Sequence, residues 1–226
     1  MTVLVILGLY YIGFHSGVFS VKNLNVENNV HYTEAQIAEI AGIVKGENIF
    51  LVRVSEVAKL LEEDPYIRKA EVSWDLPDGL NIILDERKEN VLIEYEEGFV
   101  IVDFDGVILR TTGERLIMPV IAGLTPINPV PGSALKAEEA GLLKPALDFI
   151  KFVGENDFYV KRLYLGGVIP KVYIFDRLVI EGELKHIEKN IKEVKRIIAD
   201  LDSQGIIRGT VSVNSGSSSF SPEIRD

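Results

Sequence analysis

The spacing of hydrophobic and polar positions in the first third of the chain predicts a small α+β unit. Alternation over residues 19–26 favours a β-strand. Thr33 and Gln36 form a capping-box pattern at the start of a first helix, and a second amphipathic helix ends at Pro65. Two further alternating strands are joined at Asp78-Gly79, which suits a tight turn. The predicted order is strand, helix, helix, strand, strand.

The same patterns predict a second, β-rich part with covering helices. Three alternating runs separated by Glu97-Gly98 and Asp105-Gly106 indicate an antiparallel meander. A helix over 137–153 and several short strands follow. Apolar residues at helical spacing over 183–201 predict a helix that covers a sheet. A last strand is predicted over 206–214, so the whole chain belongs to the α+β class.

The two ends of the chain differ in composition from the rest. Residues 3–14, VLVILGLYYIGF, carry no charge, and weakly polar residues extend the stretch to roughly the length of a membrane-spanning helix. We favour a transmembrane anchor at 1–18, while a cleaved signal peptide and a buried helix stay open, as does a native start upstream of Met1. Residues 215–226 are rich in Ser and Gly and predict a flexible tail.

Charge and composition narrow the possible functions. The net charge of −10 argues against a nucleic-acid partner, because phosphate binding needs clustered Lys and Arg. The chain has no cysteine, which excludes disulfides and thiolate metal sites. His15, His31 and His186 are not spaced as metal ligands. We therefore expect no metal, no cofactor and no small-molecule substrate.

One motif suggests an enzyme. A hydrophobic strand that runs into Asp103-Phe104-Asp105-Gly106 resembles the nucleophile motif of haloacid-dehalogenase-type phosphatases. In those enzymes the first Asp attacks phosphorus, which would assign that role to Asp103. The alternation of strand and helix that such a fold needs does not follow here. We therefore favour a β-hairpin turn at this position.

Several motifs of the first unit occur together, namely VKNLNVENN, GENIFLV and DPYIRKAEVSWDLPDGLNIILDER. In this order and spacing they resemble the POTRA module of the bacterial cell-division proteins FtsQ and DivIB. The resemblance runs from Phe19 to Gly123 and more loosely to Asn214. It implies an anchor at 1–18, a POTRA domain at 19–88, a β domain at 89–214 and a tail at 215–226.

The resemblance also implies a function. FtsQ and DivIB hold small single-pass division proteins of the FtsB/DivIC and FtsL types. We therefore expect a noncatalytic scaffold, anchored in the cell membrane by one span, with most of the chain extracytoplasmic at the division septum. The alternative is a POTRA module of another membrane assembly, such as one for polypeptide transport. A phosphatase is a distant third.

The expected binding site is the last strand, predicted to be an open sheet edge onto which a partner adds a strand. By the resemblance, the partner-binding residues lie in this strand and its exit: Thr210, Val211, Ser212, Val213, Asn214 and Ser215. We add Phe220 of the tail as a replacement for an aromatic contact of the family pattern, with a disordered Phe220 as the alternative. The family pattern of Asp-Leu-Arg-Tyr is replaced here by Thr-Val-Ser-Val, which leaves the roles of individual side chains open.

Overall fold

The computed structural model describes Met1 and residues 17–223. The predicted anchor at 1–18 therefore lies almost wholly outside the described residues. Within the part that the structure describes, no helix is both long enough and apolar enough to span a membrane. Contacts divide the chain into two compact units, Met1–Lys88 and Glu89–Asp226.

The first unit is a three-stranded sheet with two α-helices. Its elements are β1 (Asn23–Glu27), α1 (Glu34–Ile40), a 3₁₀ helix (Ile49–Leu51), α2 (Val54–Glu62), β2 (Ile67–Asp75) and β3 (Gly79–Glu86). The central strand is β3, which pairs parallel to β1 and antiparallel to β2. This is the order expected from the sequence, with the 3₁₀ helix in addition.

Local sequence explains how this unit is built. The Thr33 side chain accepts the Gln36 N–H at 3.3 Å, and Gln36 Oε1 accepts the Thr33 N–H at 2.9 Å, so the predicted capping box starts α1. Ile37 of α1 and Leu61 of α2 are fully buried in one cluster with Ile82 of β3. Both helices therefore bury their apolar sides against the sheet.

The second unit is a nine-stranded mixed sheet in the order β12-β11-β10-β9-β8-β7-β4-β5-β6. Its strands are β4 (Val91–Tyr95), β5 (Gly98–Val102), β6 (Ile108–Thr112), β7 (Val120–Ala122), β8 (Arg162–Tyr164), β9 (Lys171–Tyr173), β10 (Arg177–Glu181), β11 (Arg208–Val213) and β12 (Ser218–Ser221). Its helices are α3 (Ala140–Glu155), α4 (Leu184–Lys189) and α5 (Ile191–Ser203). The α+β class and the β-rich second part are confirmed.

The main core of this unit lies between the sheet and its helices. Phe149 of α3 and Val194 of α5 are fully buried in the same cluster as Ile180 and Val211 of the sheet. The predicted meander is present, since β5 pairs antiparallel with both β4 and β6.

Two features of the second unit differ from the prediction. The helix expected over 183–201 is divided at Asn190, where the backbone leaves helical geometry with φ of −103° and ψ of 16°. The Asn190 N–H and its side-chain Nδ2 both donate to the His186 carbonyl, at 3.1 and 2.9 Å. Residues 215–226 were expected to form a flexible tail, yet Ser218–Ser221 form β12.

Candidate partner-binding edge

The strand predicted as the open edge lies inside the sheet. β11 pairs parallel with β10 on one side and antiparallel with β12 on the other, so both of its edges are occupied. The prediction that residues 210–213 offer a free edge is therefore wrong. The physical reason is that the chain reverses at 214–217 and adds one more strand to the sheet. The outermost strand of the sheet at this end is β12.

The hydrogen-bond pattern of the hairpin shows which groups of β12 face outward. The Asn214 N–H donates to the Ser217 carbonyl at 3.0 Å. Hydrogen-bonded and non-hydrogen-bonded pairs alternate along an antiparallel ladder. Residues 212 and 219 are therefore hydrogen-bonded to each other, and so are residues 210 and 221. Ser218 and Phe220 therefore direct their backbone N–H and C=O groups away from β11.

Side chains alternate along the same strand. Phe220 stands opposite Val211 and packs partly buried against the main core, while Ser219 is exposed. The hydroxyl oxygen of Ser218 is buried and has no hydrogen-bond partner among the described residues. The outer strand thus has one face toward the core and one polar face toward solvent.

Phe220 is held in place by a glycine on the neighbouring strand. Gly209 has φ of +130°, a backbone conformation that L-residues rarely adopt, and a Cβ built there would lie 2.6 Å from the ring of Phe220. The missing side chain leaves room for the ring. This contact gives a short, serine-rich strand an apolar attachment to the sheet.

The predicted site residues fall into three groups. Thr210 and Ser212 are partly buried in β11, and Val211 and Val213 are fully buried there. Asn214 and Ser215 are exposed at the turn, and Phe220 lies in β12. The structure brings all seven into one hairpin, but it leaves the outer backbone to residues 218–221.

Sequence reasoning missed Ser218, Ser219 and Ser221 as site residues. A signal for them was present, because the Asn-Ser-Gly-Ser segment at 214–217 is turn-forming and follows an alternating strand. The serine-rich composition favoured a tail instead, since Ser has weak strand preference.

The opposite end of the nine-stranded sheet is protected. Ile108 of β6 donates its N–H to the Ser133 carbonyl at 2.9 Å and accepts the Gly132 N–H at 2.7 Å. A following loop thus covers the beginning of β6. For β12, no further segment of the described chain pairs with the outer edge.

Charged pairs lie on the strands beside the candidate edge. Lys171 and Glu181, on the neighbouring strands β9 and β10, form an ion pair at 2.9 Å, and the hydrogen bond to Glu181 raises the pKa of Lys171. Arg177 at the start of β10 pairs with Glu223, just after β12, at 2.6 Å. Exposed pairs of this kind contribute little to stability.

The structure supports the hairpin interpretation of the Asp103 motif. Asp103 is only 1% exposed, and its Oδ1 accepts the backbone N–H groups of Asp105 at 3.0 Å and Val107 at 2.8 Å. The carboxylate therefore organises the turn between β5 and β6. In the described part of the chain, no three His, Cys, Asp or Glu side chains are grouped so that they could hold a metal ion.

Comparison with known proteins first defines the class of the N-terminal unit. Residues 19–87 match the family model described as POTRA domain, FtsQ-type. The helices and three-stranded sheet of the first unit occupy these residues.

Relatives extend the similarity beyond this domain. The cell division protein DivIB of Clostridium acetobutylicum is 26% identical over 202 residues, which cover 84% of this chain and 78% of that protein. DivIB of Clostridium botulinum strain Hall is 25% identical, with 87% of this chain and 78% of the relative covered. The cell division protein FtsQ of Syntrophotalea carbinolica is 32% identical over 49% of this chain and 40% of its own length. Residues 19–87 therefore match the FtsQ-type POTRA family, and most of the chain is similar to cell division proteins named DivIB.

Proposed function

We propose that this protein is a noncatalytic scaffold of the bacterial division machinery and that it binds small single-pass division proteins of the FtsB/DivIC and FtsL types by strand addition at β12. The family supports the role in division. The observation that carries the proposed mechanism is the outward direction of the Ser218 and Phe220 backbone groups at the end of the sheet.

The edge geometry also defines the partner segment. A strand added beside β12 continues the two faces of the sheet, one beside Phe220 and the core, the other beside Ser219 and solvent. The partner segment should therefore alternate apolar and polar residues over about four positions. The seven residues named from the sequence support this site as its inner strand, its turn and its aromatic attachment.

We propose in addition that residues 1–18 anchor the protein in the cell membrane and that the two described units lie on the extracytoplasmic side at the division septum. The uncharged run at 3–14 supports this part of the proposal. An anchor confines the edge to the same surface as single-pass partners, which raises the effective concentration of each for the other.

The test is co-purification of the full chain with an FtsB/DivIC-type and an FtsL-type partner. Ser218→Pro removes an outward N–H and places a ring at the edge, while the bonds through Ser219 and Ser221 to β11 are kept. Ser218→Ala keeps the N–H and serves as the matched control. We expect capture by the native chain and the Ala variant, and at least about tenfold weaker binding by the Pro variant, since loss of one edge hydrogen bond and a steric clash together exceed about 1.4 kcal/mol. Equal capture by all three chains would disprove strand addition at β12.

A further inference from the structure

An exposed aromatic and aliphatic surface lies at one end of the first unit. Phe19, Phe50 and Trp74 form a row in which the ring centroids of Phe19 and Phe50 are 5.1 Å apart and those of Phe50 and Trp74 are 6.4 Å apart. Two exposed leucines are neighbours of this row in sequence. Leu51 is 59% exposed and follows Phe50 in the 3₁₀ helix, and Leu76 is 55% exposed and comes directly after the end of β2. We call these five residues the aromatic patch.

The fold places the aromatic patch where the chain enters the domain. β1 starts at Asn23, just after Phe19, and the Lys22 N–H donates to the Asp78 carbonyl in the β2–β3 turn at 2.8 Å. Trp74 lies near the end of β2, and its Nε1–H donates to the Val52 carbonyl at 3.4 Å. The chain entry, the turn and the 3₁₀ helix therefore share one end of the sheet.

We infer that the aromatic patch rests in the headgroup region of the membrane that holds the N-terminal segment; this inference rests on the anchor in the proposed function. Phe19 follows Phe14, the last residue of the uncharged run, by only five positions. Five residues span at most about 18 Å, so the patch stays close to the end of that run. Trp is favoured at the membrane–water interface because its ring is apolar and carries a polar N–H. The Phe and Leu side chains of the patch add apolar area that can be buried at the headgroup boundary.

Charge at the margin of the patch indicates which lipids it accepts. Lys22 is paired with Asp78 at 3.4 Å, and Asp75 lies next to Trp74 in β2. The margin carries no excess of positive charge that would select anionic lipids. Zwitterionic phosphatidylcholine is therefore the appropriate bilayer for a test, and burial of apolar side chains supplies the attraction.

Trp74 is the only tryptophan of the chain and reports directly on the patch. The experiment reconstitutes the full chain in phosphatidylcholine vesicles and compares its fluorescence with that in vesicles of lipids brominated at shallow or deep acyl positions. In the phosphatidylcholine vesicles we expect the emission of Trp74 to be shifted to the blue. In the brominated vesicles we expect this emission to be lost, with stronger quenching by the shallow bromines. Phe50→Ser/Leu51→Ser/Leu76→Ser retains the probe and should lose the blue shift and most of the quenching.

A matched control moves the probe to the other end of the domain. Val30 is 85% exposed, and its N–H donates to Glu86 at the far end of β3. The seven steps from Gly79 to Glu86 place it about 23 Å from the patch. The Trp74→Phe/Val30→Trp variant should keep its emission in both brominated vesicles.

Flotation of the vesicles separates the outcomes. A chain that floats but keeps full Trp74 emission overturns the membrane contact and leaves the anchor standing, as would be the case if a partner protein or a second copy covered the patch. A chain that does not float overturns both. Equal quenching of the native chain and the Val30→Trp variant overturns the proposed orientation of the domain.

Discussion

The ring of Phe220 lies across Gly209 on the neighbouring strand, so closely that a Cβ at residue 209 would approach Phe220 within 2.6 Å. Because β11 and β12 are antiparallel, this contact secures the outermost strand of the second unit at its C-terminal half. The proposed binding edge thus depends on an interaction that is itself distant from the turn.

We predict that Gly209→Ala destabilises the protein. The added methyl group must displace the Phe220 ring, and the alanine backbone must adopt φ of +130°. Together these two effects should lower the free energy of unfolding by about 2–4 kcal/mol. Urea unfolding of the second unit measures the loss. Gly216→Ala at the turn, where a Cβ meets nothing within 4 Å, is the control and should change stability by less than about 0.5 kcal/mol. Equal effects of both substitutions would refute the account of this contact.

We predict that the Asp103 carboxylate stabilises the folded protein. Asp103→Ala leaves the N–H groups of Asp105 and Val107 without their buried acceptor and should lower the free energy of unfolding by about 2–4 kcal/mol. Asp103→Asn retains one acceptor oxygen and should cost less than half as much. Thermal unfolding measures both. A phosphatase activity of the native chain that disappears in Asp103→Asn would instead support the enzyme hypothesis.

Tyr32 gives a prediction about alkaline pH. Burial and the hydrogen bond from its hydroxyl to Asp64, with both oxygens at 2.9 Å, raise the pKa of Tyr32 well above its usual value. The folded state therefore holds this proton more tightly than the unfolded state, and the stabilisation is complete below the usual tyrosine pKa of about 10. It declines as the pH rises above that value.

Comparison of the native chain with Tyr32→Phe tests this dependence. At pH 8 the variant should be less stable by about 1 kcal/mol, because it lacks the hydrogen bond to a carboxylate. The difference should shrink as the pH rises beyond about 10. Denaturant unfolding across this range provides the measurement, and a difference that grows with pH would contradict the assignment.

For Glu188 of α4 we predict that substitution increases stability. Burial, followed by repulsion from Asp148, raises the pKa of Glu188. A carboxyl group with a raised folded pKa disfavours folding once it ionises, so Glu188→Gln should stabilise the protein at pH 7 by up to about 0.5 kcal/mol, a small figure because solvent screens the site. The gain should vanish as the pH falls below the usual glutamate pKa of about 4.3. Glu97→Gln, at an exposed position of the turn between β4 and β5, is the control and should give no such gain.

Local sequence patterns were sufficient for much of the fold. The capping box of Thr33 and Gln36 and the turn at Asp105-Gly106 involve neighbouring residues, so their chemistry is visible in the sequence. The pairing of β10 with β11 is parallel and joins strands separated by two helices, and no local pattern encodes it.

The strand predicted to be the sheet edge, β11, lies one strand inside the observed outermost strand, β12, for the same reason. The segment Ser218–Ser221 has weak strand preference, and its place is set by Phe220 against Gly209 and by the ladder to β11. Such contacts between strands override composition. The sequence therefore indicated this hairpin as the candidate site but did not predict its outer strand.

The central claim is that a partner adds a strand to β12, and residue-resolved amide hydrogen exchange of the full chain tests it most directly. Before a partner is added, the outward amides of Ser218 and Phe220 should exchange quickly, while those of Ser219 and Ser221, bonded to β11, should be protected. Addition of an FtsB/DivIC-type partner should protect Ser218 and Phe220 strongly. Binding that leaves these two amides in fast exchange and protects another surface instead would contradict the proposed mechanism.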